Sequence, residues 1–161
     1  MKISKLAIVA CAAILLLNAC SSIANSSFGP IKQDNFAEVF ADSIKTQQAE
    51  IIFYSRAIWY ANKNGFKFLP AGKKSRRGVF VCTTKGIYFS EWKANAYQTA
   101  FNADYNQIAD LRLAANDLFG RLVVKTDLYN SFEVLGVAGP DLPDKDETEV
   151  AYQLIATQKD L

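Results

Sequence analysis

The sequence predicts one α+β domain behind an N-terminal targeting segment, and three patterns predict it. Phe36, Val39, Phe40, Ile44 and Gln47 recur three or four apart, with Asp34, Glu38, Asp42 and Lys45 outside the stripe, as an amphipathic helix requires. From 51 to 137 the chain runs through β-branched and aromatic stretches divided by short polar breaks, the signature of an antiparallel sheet. Asp144, Asp146, Glu147 and Glu149 then precede Val150, Ala151, Leu154 and Ile155, a helix start with acids at its positive pole. With 161 residues, 50% of them apolar, and only eight Gly and four Pro, the chain can bury one sizeable core. That composition excludes a mostly disordered, collagen-like or disulfide-scaffold protein.

The first element is an address. Lys2 and Lys5 precede an uncharged apolar run, Leu6 to Leu17, which is shorter than the roughly 20 residues of a spanning helix and suits a cleaved signal. Leu17-Asn18-Ala19-Cys20 resembles the lipobox of bacterial lipoproteins. The resemblance implies cleavage after residue 19, acylation of Cys20 as the first mature residue, and stable tethering by several acyl chains. Ser21 stands where an aspartate retains enteric-type lipoproteins at the inner membrane, so the resemblance implies the periplasmic face of the outer membrane.

Loss of residues 1–19 removes two lysines and leaves 16 basic against 16 acidic residues, a mature chain near neutrality. No basic excess points to nucleic acid. Cys11 leaves with the signal and Cys20 takes the lipid, so Cys82, between Val81 and Thr83 in a strand-like run, has no disulfide partner and reads as a core thiol. The absence of histidine removes the commonest general base, the Ser/His and Cys/His pairs and the commonest zinc ligand. The expectation is a protein without enzymatic activity, cofactor or metal.

Residues 20–33 are mostly small and polar and contain the Gly29-Pro30 break; they read as a lipidated flexible spacer. The folded body is expected over 34–158, opening with a helix over 34–48 whose Phe36, Phe40 and Ile44 meet the core. Ile51 to Tyr60 reads as a strand. Gly78 to Thr84 and Gly86 to Trp92 read as a hairpin turning at Thr84-Lys85-Gly86. Tyr105 to Leu113, Arg121 to Thr126 and Ser131 to Val137 follow as strands, with turns at 114–117 and 127–130. For the closing helix, Asp144 with Glu147 or Asp146 with Glu149 has capping-box spacing.

The segment Thr83-Thr84-Lys85-Gly86-Ile87-Tyr88-Phe89 resembles the threonine, turn, apolar-aromatic-phenylalanine hairpin of GRAM and bacterial pleckstrin-homology-like domains. Downstream, Tyr105 to Leu111, Arg121 to Lys125, Ser131 to Val134 and the helix over 149–158 are similar to that family in order and apolarity. The resemblance covers about 50–158. It implies a single pleckstrin-homology-like antiparallel β-barrel or sandwich with an N-terminal amphipathic helix and a C-terminal capping helix. A lipocalin-like or other small β-barrel closed by a helix is the alternative architecture.

Residues 63–77 hold six of the 16 mature basic residues and no acid. In pleckstrin-homology-like domains the loop between the first two strands is where basic residues meet lipid phosphates, and the resemblance puts this stretch there. Lys67, Lys73, Lys74, Arg76 and Arg77 would approach head-group phosphates at about 1 kcal/mol each near an anionic surface, while Phe66, Phe68 and Leu69 would enter the interface. Plain solvation of a basic loop is the competing reading. The other constellations are weaker: the acids from Asp141 to Glu149 lack the glycine turn of an EF-hand, and Glu91, Asp104 and Glu133 show no paired carboxylate. Trp59, Tyr60, Trp92 and Tyr97 suit core packing better than a groove. The expected role is a membrane-anchored, non-catalytic binding module for an envelope protein partner or an anionic phospholipid surface, with a structural or assembly accessory lipoprotein as the alternative.

Overall fold

A computed structural model describes residues 27–62, 75–115, 120–126, 132–138 and 144–160 of the chain. The expected signal peptide, Cys20, residues 63–74, the second half of the expected turn at 114–117 and all of that at 127–130 lie outside the described residues. Helix α1 (Phe36–Ile44) leads into strands β1 (Ile51–Asn62), β2 (Arg76–Thr83), β3 (Gly86–Lys93), β4 (Ala96–Asp104), β5 (Ile108–Ala115), β6 (Gly120–Thr126) and β7 (Phe132–Ala138), and helix α2 (Lys145–Lys159) closes the chain. The α+β class is as the sequence predicts.

The seven strands form one sheet in the order β4-β3-β2-β1-β7-β6-β5, and every ladder is antiparallel. β1 is the hinge of this arrangement, pairing with β2 on one side and β7 on the other. Among the described residues no ladder joins β4 to β5, so the hydrogen bonding does not close a barrel. The chain turns between these two strands through a short 3-10 helix, Tyr105–Gln107, whose Tyr105 hydroxyl donates to the Thr83 carbonyl at 2.7 Å. The sheet nonetheless curls, since Phe89 and Phe101 from one wing share a buried cluster with Leu122 and Val124 from the other. Ala151 and Ile155 of α2 complete that inner core.

A second core lies on the outer face. Phe36 and Phe40 of α1 pack with Phe28, Ile31, Val79, Val81 and Tyr97, all buried. β2 is therefore covered on both sides: Val79 and Val81 face α1, while Phe80 and Cys82 face the inner core. This explains why Val79-Phe80-Val81-Cys82 shows no polar alternation. Burial pushes the Cys82 thiol well above its ordinary range, as expected of an inert core cysteine.

Bulges decide which core a residue joins. In β4, Phe101 pairs with Phe89 but Thr99 pairs with Ser90, so Ala100 is an extra residue. Tyr97 and Phe101, four apart, would share a face in a regular strand; the bulge sends Tyr97 outward and Phe101 inward. β1 repeats the device. Ile52 is extra between the Ile51–Thr83 and Phe53–Cys82 pairs, and Ile51 packs outward while Phe53 packs inward.

Several features differ from the sequence expectation, among them Tyr105–Gln107, a 3-10 turn where the sequence predicts a strand, and Ala114 and Ala115, which continue β5 where it predicts a turn. β4 is an additional strand that the sequence reading lacks. α1 stops at Ile44 rather than 48, because Lys45 adopts a left-handed conformation (φ 58°) and the Thr46 N–H turns back to the Ala41 carbonyl at 3.0 Å. The spacer also ends earlier than residue 33, since Phe28 and Ile31 are buried. Finally, Val150 is exposed and Leu154 half-buried, so the core face of α2 runs through Ala151 and Ile155. Its N-cap is Asp144, whose carboxylate accepts from the backbone N–H groups of Asp146 at 2.9 Å and Glu147 at 3.1 Å.

Candidate anionic-surface site

The region joining β1 to β2 carries the predicted cationic site, and only its borders are described. Phe66, Lys67, Phe68, Lys73 and Lys74 lie outside the described residues, whereas Arg76 and Arg77 open β2. Strand alternation sends these two arginines to opposite faces.

Arg76 is engaged by its neighbours. Its guanidinium forms an ion pair with Glu91 of β3 and stands over the Trp59 ring, 4.8 Å from the centroid. Trp59 is itself buried against Phe89 and Phe101, so the arginine stacks on the rim of the inner core. The same Glu91 oxygen accepts from Lys93 Nζ at 2.7 Å. One carboxylate thus holds two cations, and of the two described members of the predicted site Arg76 is paired within the sheet while Arg77 is exposed on the other face.

These contacts set the local electrostatics. The hydrogen bond from Arg76, followed by that from Lys93, holds the Glu91 carboxyl below the usual carboxylate range, and Glu91 in turn raises the Arg76 guanidinium above its ordinary value. A folded-state value below the unfolded one means that the stabilisation is present above the ordinary Glu range and is lost as pH falls through the lowered value. Glu91→Gln is therefore expected to reduce stability at neutral pH by about 1 kcal/mol and to flatten its acid-side decline. Urea titrations at neutral pH and at pH 3–5 check this; an unchanged acid limb would remove Glu91 from the account.

The outer face at the same end of the sheet is occupied by the chain's own entry strap. The Tyr97 hydroxyl donates to the Phe28 carbonyl at 3.0 Å, and the Phe28 ring lies 5.1 Å from the Arg56 guanidinium carbon. Gly29 has φ +66°, and a Cβ there would stand 2.6 Å from the Trp92 ring and 2.8 Å from the Tyr97 hydroxyl. Only glycine fits both the conformation and the space. The Trp92 and Tyr97 rings lie edge to face at 4.8 Å, so they serve as the strap's seat rather than a vacant groove. Burial pushes the Tyr97 phenol far above its ordinary range, which keeps it a donor.

Comparison with known proteins adds a fold and nothing more specific. No protein-family model matches the chain, and no curated protein matches it. Among solved structures it is similar to the C-terminal domain of an unknown protein from Leishmania infantum, with a TM-score of 0.54 and 18% identity, over 79% of this chain and 100% of that one. At that identity the likeness is one of architecture.

Two further acids lie near turns. Asp104 leads the 3-10 turn, where its backbone N–H donates to Gln107 Oε1 at 3.1 Å. Glu50 accepts from Lys85 Nζ at 2.6 Å and from Thr46 Oγ1 at 2.8 Å, contacts that hold its carboxyl below the usual range. Among the described residues no cluster of three or more acidic or cysteine side chains is arranged to hold a metal, and no helix is long and apolar enough to cross a membrane. The side chains of Tyr60 and Glu133 lie outside the described residues. Sequence reasoning missed the strap; its one legible sign is Phe28-Gly29-Pro30, an aromatic beside a glycine in an otherwise small, polar stretch.

Proposed function

We propose that the protein is a bacterial lipoprotein, anchored through Cys20 at the periplasmic face of the outer membrane, whose pleckstrin-homology-like domain is a non-catalytic binding module for an anionic envelope surface. The observation that carries this reading is the placement of Phe28: this residue, eight positions after the lipobox cysteine, is already buried in the folded body. A fully extended segment of that length spans about 28 Å, so an acylated Cys20 holds the domain within its own diameter of the bilayer. The strand order, with two antiparallel wings meeting at β1 and β7 and a C-terminal helix against the inner core, supports the pleckstrin-homology-like assignment. Cys82 is buried, and Glu91 and Glu50 are engaged by cations, which favours binding over chemistry.

In cells, wild-type protein is expected to incorporate radiolabelled palmitate and Cys20→Ala to incorporate none; label in the variant, or none in the wild type, would overturn the anchoring. For binding, the domain from residue 26 onward is expected to sediment with phosphatidylglycerol vesicles in preference to neutral ones. Salt should weaken this association, because charges are screened over about 8 Å at physiological ionic strength. Lys73→Glu with Arg77→Glu should abolish the salt-sensitive part. Equal sedimentation of variant and wild type would return the segment to plain solvation.

A further inference from the structure

The strap fixes where the tether leaves the domain, and from this we infer which end of the sheet faces the bilayer: the end formed by the start of β2 and the β3–β4 turn. The inference rests on the Cys20 anchor proposed above, and the surface it assigns is that of the membrane holding the acyl chains.

Three observations carry it. First, the chain is pinned rather than loose at its point of entry, through the Tyr97 hydroxyl on the Phe28 carbonyl and the tight seat of Gly29 against Trp92. Second, that seat is at one extreme of the sheet: Trp92 and Tyr97 pair with each other one step from the Lys93–Ala96 pair that closes the β3–β4 turn. Ser75 and Arg76 lie at this extreme too, since Arg76 reaches Glu91. Thr84, at the β2–β3 turn, marks the opposite extreme, about 30 Å from Ser75 along a nine-step strand path.

Third, the tether is short against that length. Eight residues span at most about 28 Å, whatever their conformation. From the Trp92 seat the Thr84 end is more than 20 Å further along the strands, at roughly 3.3 Å per residue. Turning the Thr84 end to the bilayer would use nearly all of that span, directed back along the domain, whereas the Ser75 end needs little of it. The exposed side chains at the near end include Arg77, Lys93 and Asn95, and Lys93 extends there even while paired with Glu91. A cationic, polar border is compatible with head-groups, and tethering makes weak contacts sufficient.

The test uses the full acylated protein in phosphatidylethanolamine–phosphatidylglycerol vesicles containing a nitroxide-labelled lipid, with a fluorophore on a single introduced cysteine. Ser75→Cys and Thr84→Cys are both exposed positions, and buried Cys82 stays unlabelled while the fold is intact. The Ser75 label is expected to be quenched severalfold more than the Thr84 label. Gly29→Val, which cannot take the strap conformation, should reduce that contrast, with the continued protection of Cys82 from thiol reagent showing that the body remains folded. Equal quenching at the two positions in acylated protein, stronger quenching at Thr84, or an undiminished contrast in Gly29→Val would overturn the orientation while leaving the anchor standing. Mass spectrometry showing no acyl group on Cys20 would overturn the anchor itself, and the orientation with it.

Discussion

Ile155→Asp is expected to destabilise the domain by about 4 kcal/mol or more, enough to leave little folded protein at 37 °C if its total stability is in the ordinary range of about 5–15 kcal/mol. Ile155 is fully buried where α2 meets the inner core, in the same cluster as Ala151, Leu122, Val124 and Ile108. A carboxylate placed there loses its water without gaining a partner, because its cluster neighbours are apolar. The same change at Leu154, next in the chain but half-buried, lets the charge reach solvent and should cost less than half as much. Urea denaturation of both variants decides the point. A larger loss at Leu154 than at Ile155 would mean that α2 is rotated by about one residue from the orientation described.

The second large effect belongs to the outer core. Phe40→Ala should cost about 3–5 kcal/mol, the usual range for removing a buried aromatic ring and leaving part of its volume empty. Phe40 is completely buried, with ring centroids 5.7 Å from Phe36, 5.3 Å from Tyr97 and 6.4 Å from Tyr88. Phe40→Leu, which keeps most of the volume, should recover more than half of the loss. Because Val79 and Val81 of β2 close this core from below while Phe80 and Cys82 close the other, unfolding should remain one transition with a lowered midpoint. A separate early transition confined to α1 would show that the helix is an appendage and not a wall of the domain.

Much of the architecture is written in local pattern. The Phe36–Phe40–Ile44 spacing marks α1, glycine at position 86 marks the β2–β3 hairpin, and acids before an apolar stripe mark α2. β4 is harder to read, because the bulge at Ala100 breaks the two-residue period between Tyr97 and Phe101 and alanine occupies three of its nine positions. The end of α1 is equally hidden, since Lys45 is not a residue that announces a left-handed cap. At the candidate site, charge count alone cannot separate Arg76 from Arg77. Adjacent positions of a strand face opposite ways, and only the placement of Glu91 and Trp59 across the ladder tells which arginine is already engaged. Phe28 illustrates the same limit: its burial depends on Tyr97, 69 residues away.

The ladder between β1 and β7 also has a meaning in time. Within each wing, neighbouring strands are neighbours in sequence, separated by 13 residues at most between β1 and β2, but β1 and β7 pair residues 70 to 82 positions apart, from Asn62–Phe132 to Arg56–Ala138. Contacts of such separation must overcome the entropy of a long loop before they contribute, which slows folding relative to the local hairpins. A chain emerging N-terminus first therefore exposes β1 with one neighbour until nearly the whole sequence has arrived. During that interval its free edge, flanked by Ile51, Phe53 and Trp59, is open to pairing with other chains.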